Sequence, residues 1–164
     1  MKVLALWGKG SKGKTTTLNL LTGLLSNDFT KNIKSKYPIK LPVDMENDNC
    51  YVVTYNGKRF CITTRGDTKE ALEKDFEWLQ KQYNKEGCDL YICATRSKGA
   101  TCEYIEQEAA TGDIFWIAKA SITHEKNRTY VDSQFIAQQQ CLANECQAAL
   151  MKDFIDNLIT QRII

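Results

Sequence analysis

The residues best equipped for chemistry stand near the start of the chain, in Gly8-Lys9-Gly10-Ser11-Lys12-Gly13-Lys14-Thr15, with Thr16 following. Glycine lets the backbone turn tightly, so that successive N–H groups face inward and form a nest for an anion. A helix that starts where such a loop ends adds the partial positive charge of its N-terminus. At the spacing G-x-x-x-x-G-K-[ST], Lys14 is expected to bridge the β- and γ-phosphates of a nucleoside triphosphate and Thr15 to ligate Mg²⁺. Thr16 is placed for the α-phosphate. Gly8, Lys9, Gly10, Ser11, Lys12 and Gly13 supply the cradle, and ATP with Mg²⁺ is the expected ligand.

Other residues are placed to act on that ligand. Phe60-Cys61-Ile62-Thr63-Thr64-Arg65-Gly66-Asp67 ends an apolar strand in a glycine and an acid. P-loop proteins, which the loop Gly8–Thr15 resembles, usually keep a carboxylate for Mg²⁺ or its water shell at such a strand end. That resemblance makes Asp67 the candidate, and it serves equally well as a cap for the helix that follows. Gly66 can offer its N–H to the γ-phosphate. Arg65 and Arg96 both follow predicted strands, where an arginine can stabilise a phosphoryl group in transfer or grip a second anionic substrate. Arg96 lies in the polar loop Thr95-Arg96-Ser97-Lys98-Gly99-Ala100-Thr101 and is the stronger candidate. Lys14, Arg96 and Asp67 are therefore the candidate catalytic set. His124 has no second ligand nearby and reads as a surface residue. The acidic stretch Asp44-Met45-Glu46-Asn47-Asp48 reads as solvated loop.

These residues need a scaffold. Val3-Leu4-Ala5-Leu6-Trp7 is a short apolar run, as in a strand buried on both faces of a parallel sheet. Leu18, Leu21, Leu24 and Leu25 put a stripe on a helix over Thr15–Leu25. The pattern then dissolves from Ser26 to Asn49, a connection long enough to be functional. Tyr51–Tyr55 and Arg59–Thr63 flank Asn56-Gly57, the preferred pair for a type I′ turn, and predict an antiparallel hairpin. A helix follows over Thr68–Tyr83, capped by Asp67 or Thr68, with Leu72, Phe76 and Leu79 at helical spacing. Leu90–Ala94 and Ile114–Ala118 are further strands, separated by a helix from about Cys102 to Ala110. Val131–Ile159 forms a long or broken helix, its stripe being Phe135, Leu142, Cys146, Leu150, Phe154 and Leu158. Trp7, Trp78 and Trp116 read as core.

Strands alternating with helices imply a three-layer α/β fold. Its sheet is mostly parallel, with one antiparallel hairpin strand and a long C-terminal helix. Ligands in such sheets sit at the carboxyl ends of the strands, where loops open at Gly8, Arg65, Thr95 and Lys119. The 164 residues fit one domain, 1–164, and the 43% hydrophobic and 26% charged residues describe a globular chain. A net charge of +2 offers no argument for nucleic acid or an anionic membrane. No apolar run is long enough to span a bilayer, and a cytoplasmic location is expected. The seven cysteines include no Cys-x-x-Cys, and several lie in apolar runs, so buried free thiols are expected.

The loop Gly8–Thr15 resembles the Walker A motif of P-loop NTPases. With Lys9 after the first glycine it also partly resembles the deviant form of Min- and Par-type ATPases, although Gly10-Ser11-Lys12 replaces the usual centre. That resemblance implies a homodimer in which Lys9 reaches the partner's nucleotide. Beyond the loop, the likeness covers only the α/β arrangement. Three function classes follow. A small-molecule or nucleotide kinase, acting on an unidentified acceptor, accounts for the arginines near the cleft. A switch or assembly ATPase, with a protein partner, accounts for Lys9 and the long last helix. A Ras-like GTPase shares the hairpin, but Asn84-Lys85-Glu86-Gly87 lacks the aspartate that guanine recognition uses, which favours ATP.

Overall fold

The computed structural model describes residues 2–10, 13–26, 48–82, 87–109, 112–121 and 133–164. Ser11, Lys12, His124, residues 44–47 of the acidic stretch and the string 84–86 lie outside the described residues. The elements run β1 (Val3–Trp7), α1 (Lys14–Ser26), β2 (Cys50–Tyr55), β3 (Lys58–Thr63), α2 (Lys69–Gln82), β4 (Leu90–Thr95), α3 (Ala100–Glu108), β5 (Ile114–Ala118) and α4 (Ser133–Thr160).

The strands form one sheet in the order β2-β3-β4-β1-β5. All neighbours are parallel except β2 and β3, which pair antiparallel from Cys50↔Thr63 to Tyr55↔Lys58. Asn56 and Gly57 close that hairpin with φ of 50° and 74°. Both angles are positive, as a type I′ turn requires.

Alternating side chains divide the core between the two faces of the sheet. On one face Leu4, Leu6, Phe60, Ile62, Leu90 and Ile92 pack against Leu18, Leu21 and Leu25 of α1 and Met151, Ile155 and Leu158 of α4. On the other, Val3, Ala5, Cys61, Tyr91 and Cys93 meet Leu72, Phe76 and Leu79 of α2 and Tyr104 and Ile105 of α3. The protein is thus an α/β sandwich with its sheet between two helical layers. The hairpin is tied to α4 as well. Lys152 donates to the Tyr55 hydroxyl (2.7 Å) and to Asp156 (2.9 Å), and that hydroxyl donates to Asp156 (2.7 Å).

Three expectations about burial are corrected. The stripe of α4 that meets the body is Asn144, Gln147, Ala148, Met151, Ile155 and Leu158, whereas Phe135, Leu142, Cys146 and Leu150 are exposed. The inward stripe begins with two amides, so a search for apolar periodicity follows the outer side over the first half of the helix, whereas Phe154 and Leu158 of the expected stripe do pack on the core. Trp116 is not core either: among the described residues β5 is an edge strand, and this residue is 39% exposed. All seven cysteines are free, but only Cys61 and Cys93 are buried, and Cys141 and Cys146 face solvent. Among the described residues no helix is long and apolar enough to cross a membrane.

Candidate functional site

The connections of the sheet decide where a ligand can sit. From β1 the chain enters α1 on one face, and from the adjacent β4 it enters α3 on the other. Where neighbouring strands send their helices to opposite faces, a crevice opens at their carboxyl ends. Gly8 follows β1 and Arg96 follows β4, so the two loops with the most suggestive sequences border that crevice.

Lys14 is the first residue of α1, and its ammonium folds back over the loop. It donates to the carbonyl oxygens of Gly8 (3.0 Å) and Lys9 (2.9 Å), and the side chain is almost wholly buried, at 6% exposure. An ammonium has three donors, and these contacts use two. Burial holds the Lys14 pKa below the ordinary lysine value, with Asp67 opposing the shift and Arg96 adding to it. Both of those residues therefore act on Lys14 across the crevice.

Arg96 reaches the loop from β4. Its guanidinium lies over Gly10, where an added Cβ would fall 3.2 Å from Cζ and closer still to Nη1. Asp67 is its partner, with Nε to Oδ1 at 3.1 Å. Asp67 comes from the end of β3, which β4 separates from β1, so the carboxylate sits across Arg96 rather than against Thr15. It does not cap α2. Thr68 does, accepting from the Ala71 N–H (3.3 Å). Gly66 is buried with its Cα against the carbonyl of Ala94, a close approach that leaves no room for a side chain. Arg65 turns aside and pairs with Asp75 (3.5 Å), a buried carboxylate that also accepts from the Thr63 hydroxyl.

The carboxylate that does reach Thr15 is Asp48. The Thr15 hydroxyl donates to Asp48 Oδ1 at 2.9 Å, and Thr64 approaches the same oxygen at 3.5 Å. Sequence reasoning placed Asp48 in a solvated acidic stretch. Its position just before β2 brings it back over α1. Hydroxyl and carboxylate oxygens form a hard donor pair, the kind that Mg²⁺ completes with phosphate oxygens and water. Among the described residues no group of three or more His, Cys, Asp or Glu side chains is arranged to hold a metal ion. Thr16 stands in the first turn of α1, half-buried, and Lys9 keeps its side chain in solvent while its carbonyl receives Lys14.

Two further contributors were not among the candidate site residues, although Lys119 opens one of the strand-end loops. Gly13 has φ +77°, and a Cβ there would lie 2.6 Å from Oδ1 of the buried Asn144 on α4. The last helix therefore closes one side of the loop. On the far side of β1, Lys119 follows β5 and lies against Gly8, with 3.1 Å between its Cβ and one built on the glycine. No family model matches this chain, and no curated protein or solved structure matches it either.

Proposed function

We propose that this protein binds ATP with Mg²⁺ through the loop Gly8–Thr15 and transfers the γ-phosphoryl group to a small-molecule or nucleotide acceptor. The observation that carries this reading is the buried Lys14 ammonium. It is held by two loop carbonyls at the start of a helix, at the carboxyl end of a central strand, and keeps one donor for a ligand. Phosphoryl transfer asks a protein mainly for positioning and charge stabilisation. Lys14 would hold the phosphate chain, and backbone N–H groups of the loop would orient it. Arg96, steadied by Asp67, would face the group in transfer. Thr15 and Asp48 would hold Mg²⁺, which when bound neutralises phosphate charge. The acceptor is the part for which the sequence offers no signature.

A switch ATPase is the second reading, and the Gly13–Asn144 contact favours it. A loop that changes conformation with the γ-phosphate would press directly on α4, whose outer face exposes Phe135, Leu142 and Leu150.

One experiment separates these readings. The protein is given ATP labelled at the γ-phosphate, with and without a library of metabolites and nucleoside monophosphates, and Lys14→Ala is the control. A kinase delivers label to one acceptor, whereas a switch ATPase releases labelled inorganic phosphate. Loss of one charged hydrogen bond to phosphate weakens binding about tenfold or more. Equal ATP affinity in Lys14→Ala and the wild type would remove the nucleotide reading altogether.

A further inference from the structure

The register of the sheet places a second cation beside the loop, on the side away from Arg96. Trp7 pairs with Thr95 on β4 and with Ala118 on β5. The next residues along, Arg96, Gly8 and Lys119, therefore share one row across the strand ends. Backbone bonds fix that row: Gly8 N–H donates to the Thr95 carbonyl (3.3 Å), and Lys119 N–H donates to the Trp7 carbonyl (2.8 Å). The absence of a side chain on Gly8 lets the Lys119 stem lie on the loop. At its tip the ammonium donates to the carbonyl of Ala120, its own neighbour. A lysine bent onto a local carbonyl has donors left for another partner.

The charges around Lys119 sharpen the point. Among the described residues the charged group acting on it is another cation, Lys14 of α1; β1 presents backbone, and the nearby α4 side chain is the neutral Gln147, which accepts from the Ala120 N–H (2.6 Å). Burial, with that like charge added, brings Lys119 down to about 8. Lys14, Lys119 and Arg96 thus surround Gly8–Gly10 with three positive side chains, while one carboxylate, Asp67, offsets Arg96. Like charges held together in a half-buried crevice oppose folding, and an anion bound between them relieves that opposition.

We propose that Lys119 is a ligand-contacting residue of this site, gripping the phosphate chain of a nucleoside triphosphate from the β5 side while Arg96 faces it from the β4 side. This rests on the nucleotide reading above. It adds a residue outside the glycine loop whose partner is phosphate rather than base or ribose. Because the ammonium is partly deprotonated near pH 8 and phosphate favours its charged form, binding there draws a proton from the buffer.

Calorimetry tests this with two probes, MgATP and inorganic tripolyphosphate with Mg²⁺, on the wild type, Lys119→Gln and Lys119→Arg. Loss of a charged hydrogen bond to phosphate predicts that Lys119→Gln weakens both probes by about the same factor, near tenfold. Lys119→Arg should keep affinity within about threefold, because the cation is retained. Repeating the titrations at about pH 8 in buffers of different ionisation enthalpy should show proton uptake by the wild type. Uptake should be smaller in Lys119→Arg, whose guanidinium stays protonated. A Lys119→Gln protein that binds both probes like the wild type overturns the inference and leaves the nucleotide reading standing. Weakened ATP with unchanged tripolyphosphate also overturns it, since the contact would then be to the nucleoside. Wild-type protein that binds neither probe overturns the nucleotide reading, and this inference with it.

Discussion

Replacing Gly13 by alanine tests the loop and its cover together. The residue sits at φ +77°, where an L side chain meets its own backbone at a cost of about 1–2 kcal/mol. The new methyl group would also lie 2.6 Å from Oδ1 and 2.9 Å from Nδ2 of Asn144. That amide cannot simply swing aside. It is buried, and its Oδ1 accepts from the Gln140 amide at 3.0 Å. Overpacking of this kind adds about 1–3 kcal/mol, giving a total of about 2–5 kcal/mol for Gly13→Ala. For a domain of this size the melting temperature should fall by about 4–20 °C. Urea unfolding of Gly13→Ala, Asn144→Ala and the double variant resolves the two parts. Removing the Asn144 side chain abolishes the clash but leaves the backbone strain. The double variant should therefore be more stable than the sum of the singles by about 1–3 kcal/mol. If Gly13→Ala unfolds within about 0.5 kcal/mol of the wild type, neither the left-handed loop residue nor the seat of α4 on it survives in solution.

The metal-side pair gives a second test. Thr15→Ala and Asp48→Asn should each lose most of the gain in ATP affinity that Mg²⁺ brings while keeping affinity in EDTA, because the phosphate nest is backbone. Titrations with equal Mg²⁺ enhancement in wild type and variants would exclude both as ligands. Asp75 gives a pH signature. Burial raises its pKa above the usual 3.8, against the opposing pull of Thr63 and Arg65. The folded state therefore holds a proton that the unfolded chain has released. The stability associated with this group is complete below pH 3.8 and declines as pH rises through the shifted value. Asp75→Asn should remove that decline and gain on the wild type as pH rises above 3.8 in urea unfolding at stepped pH. Parallel profiles would show that Asp75 titrates like an exposed carboxylate.

Much of the scaffold was legible because local chemistry decides it. The runs Val3–Trp7 and Ile114–Ala118 became strands with those bounds, and Asn56-Gly57 closed the expected hairpin. The helices α2 and α3 begin a residue or two away from their expected starts, since the caps are short-range and α3 follows Gly99 without a side-chain cap. What the sequence hid was non-local. Strand order is set by how layers pack, so nothing in Leu90–Thr95 announced that β4 would separate Asp67's strand from β1. Asp48 was hidden by its acidic neighbours, because solvation is the default fate of a charge run and only the return of the chain to Thr15 distinguishes it. Asn144 carried no signal at all, since an amide on a helix declares its partner only once the helix is docked.

The edge position of β5 has a consequence for handling the protein. Ile114-Phe115-Trp116-Ile117-Ala118 is five uncharged residues, the first four of high β-propensity, and one side of its backbone faces no further strand among the described residues. Such a segment is a template for pairing with another chain, and charges at its ends are the usual guard against sheet-to-sheet association. Here the guards are Asp113 on one side and Lys119 on the other. By that reasoning Lys119 is expected to guard the edge as well as face the loop, and its neutralisation to leave the strand, with Trp116 at its centre, without a charge at that end. Light scattering should find Lys119→Gln self-associating at concentrations where Lys119→Arg stays dispersed, so solubility limits, as much as affinity, will govern how concentrated that variant can be studied.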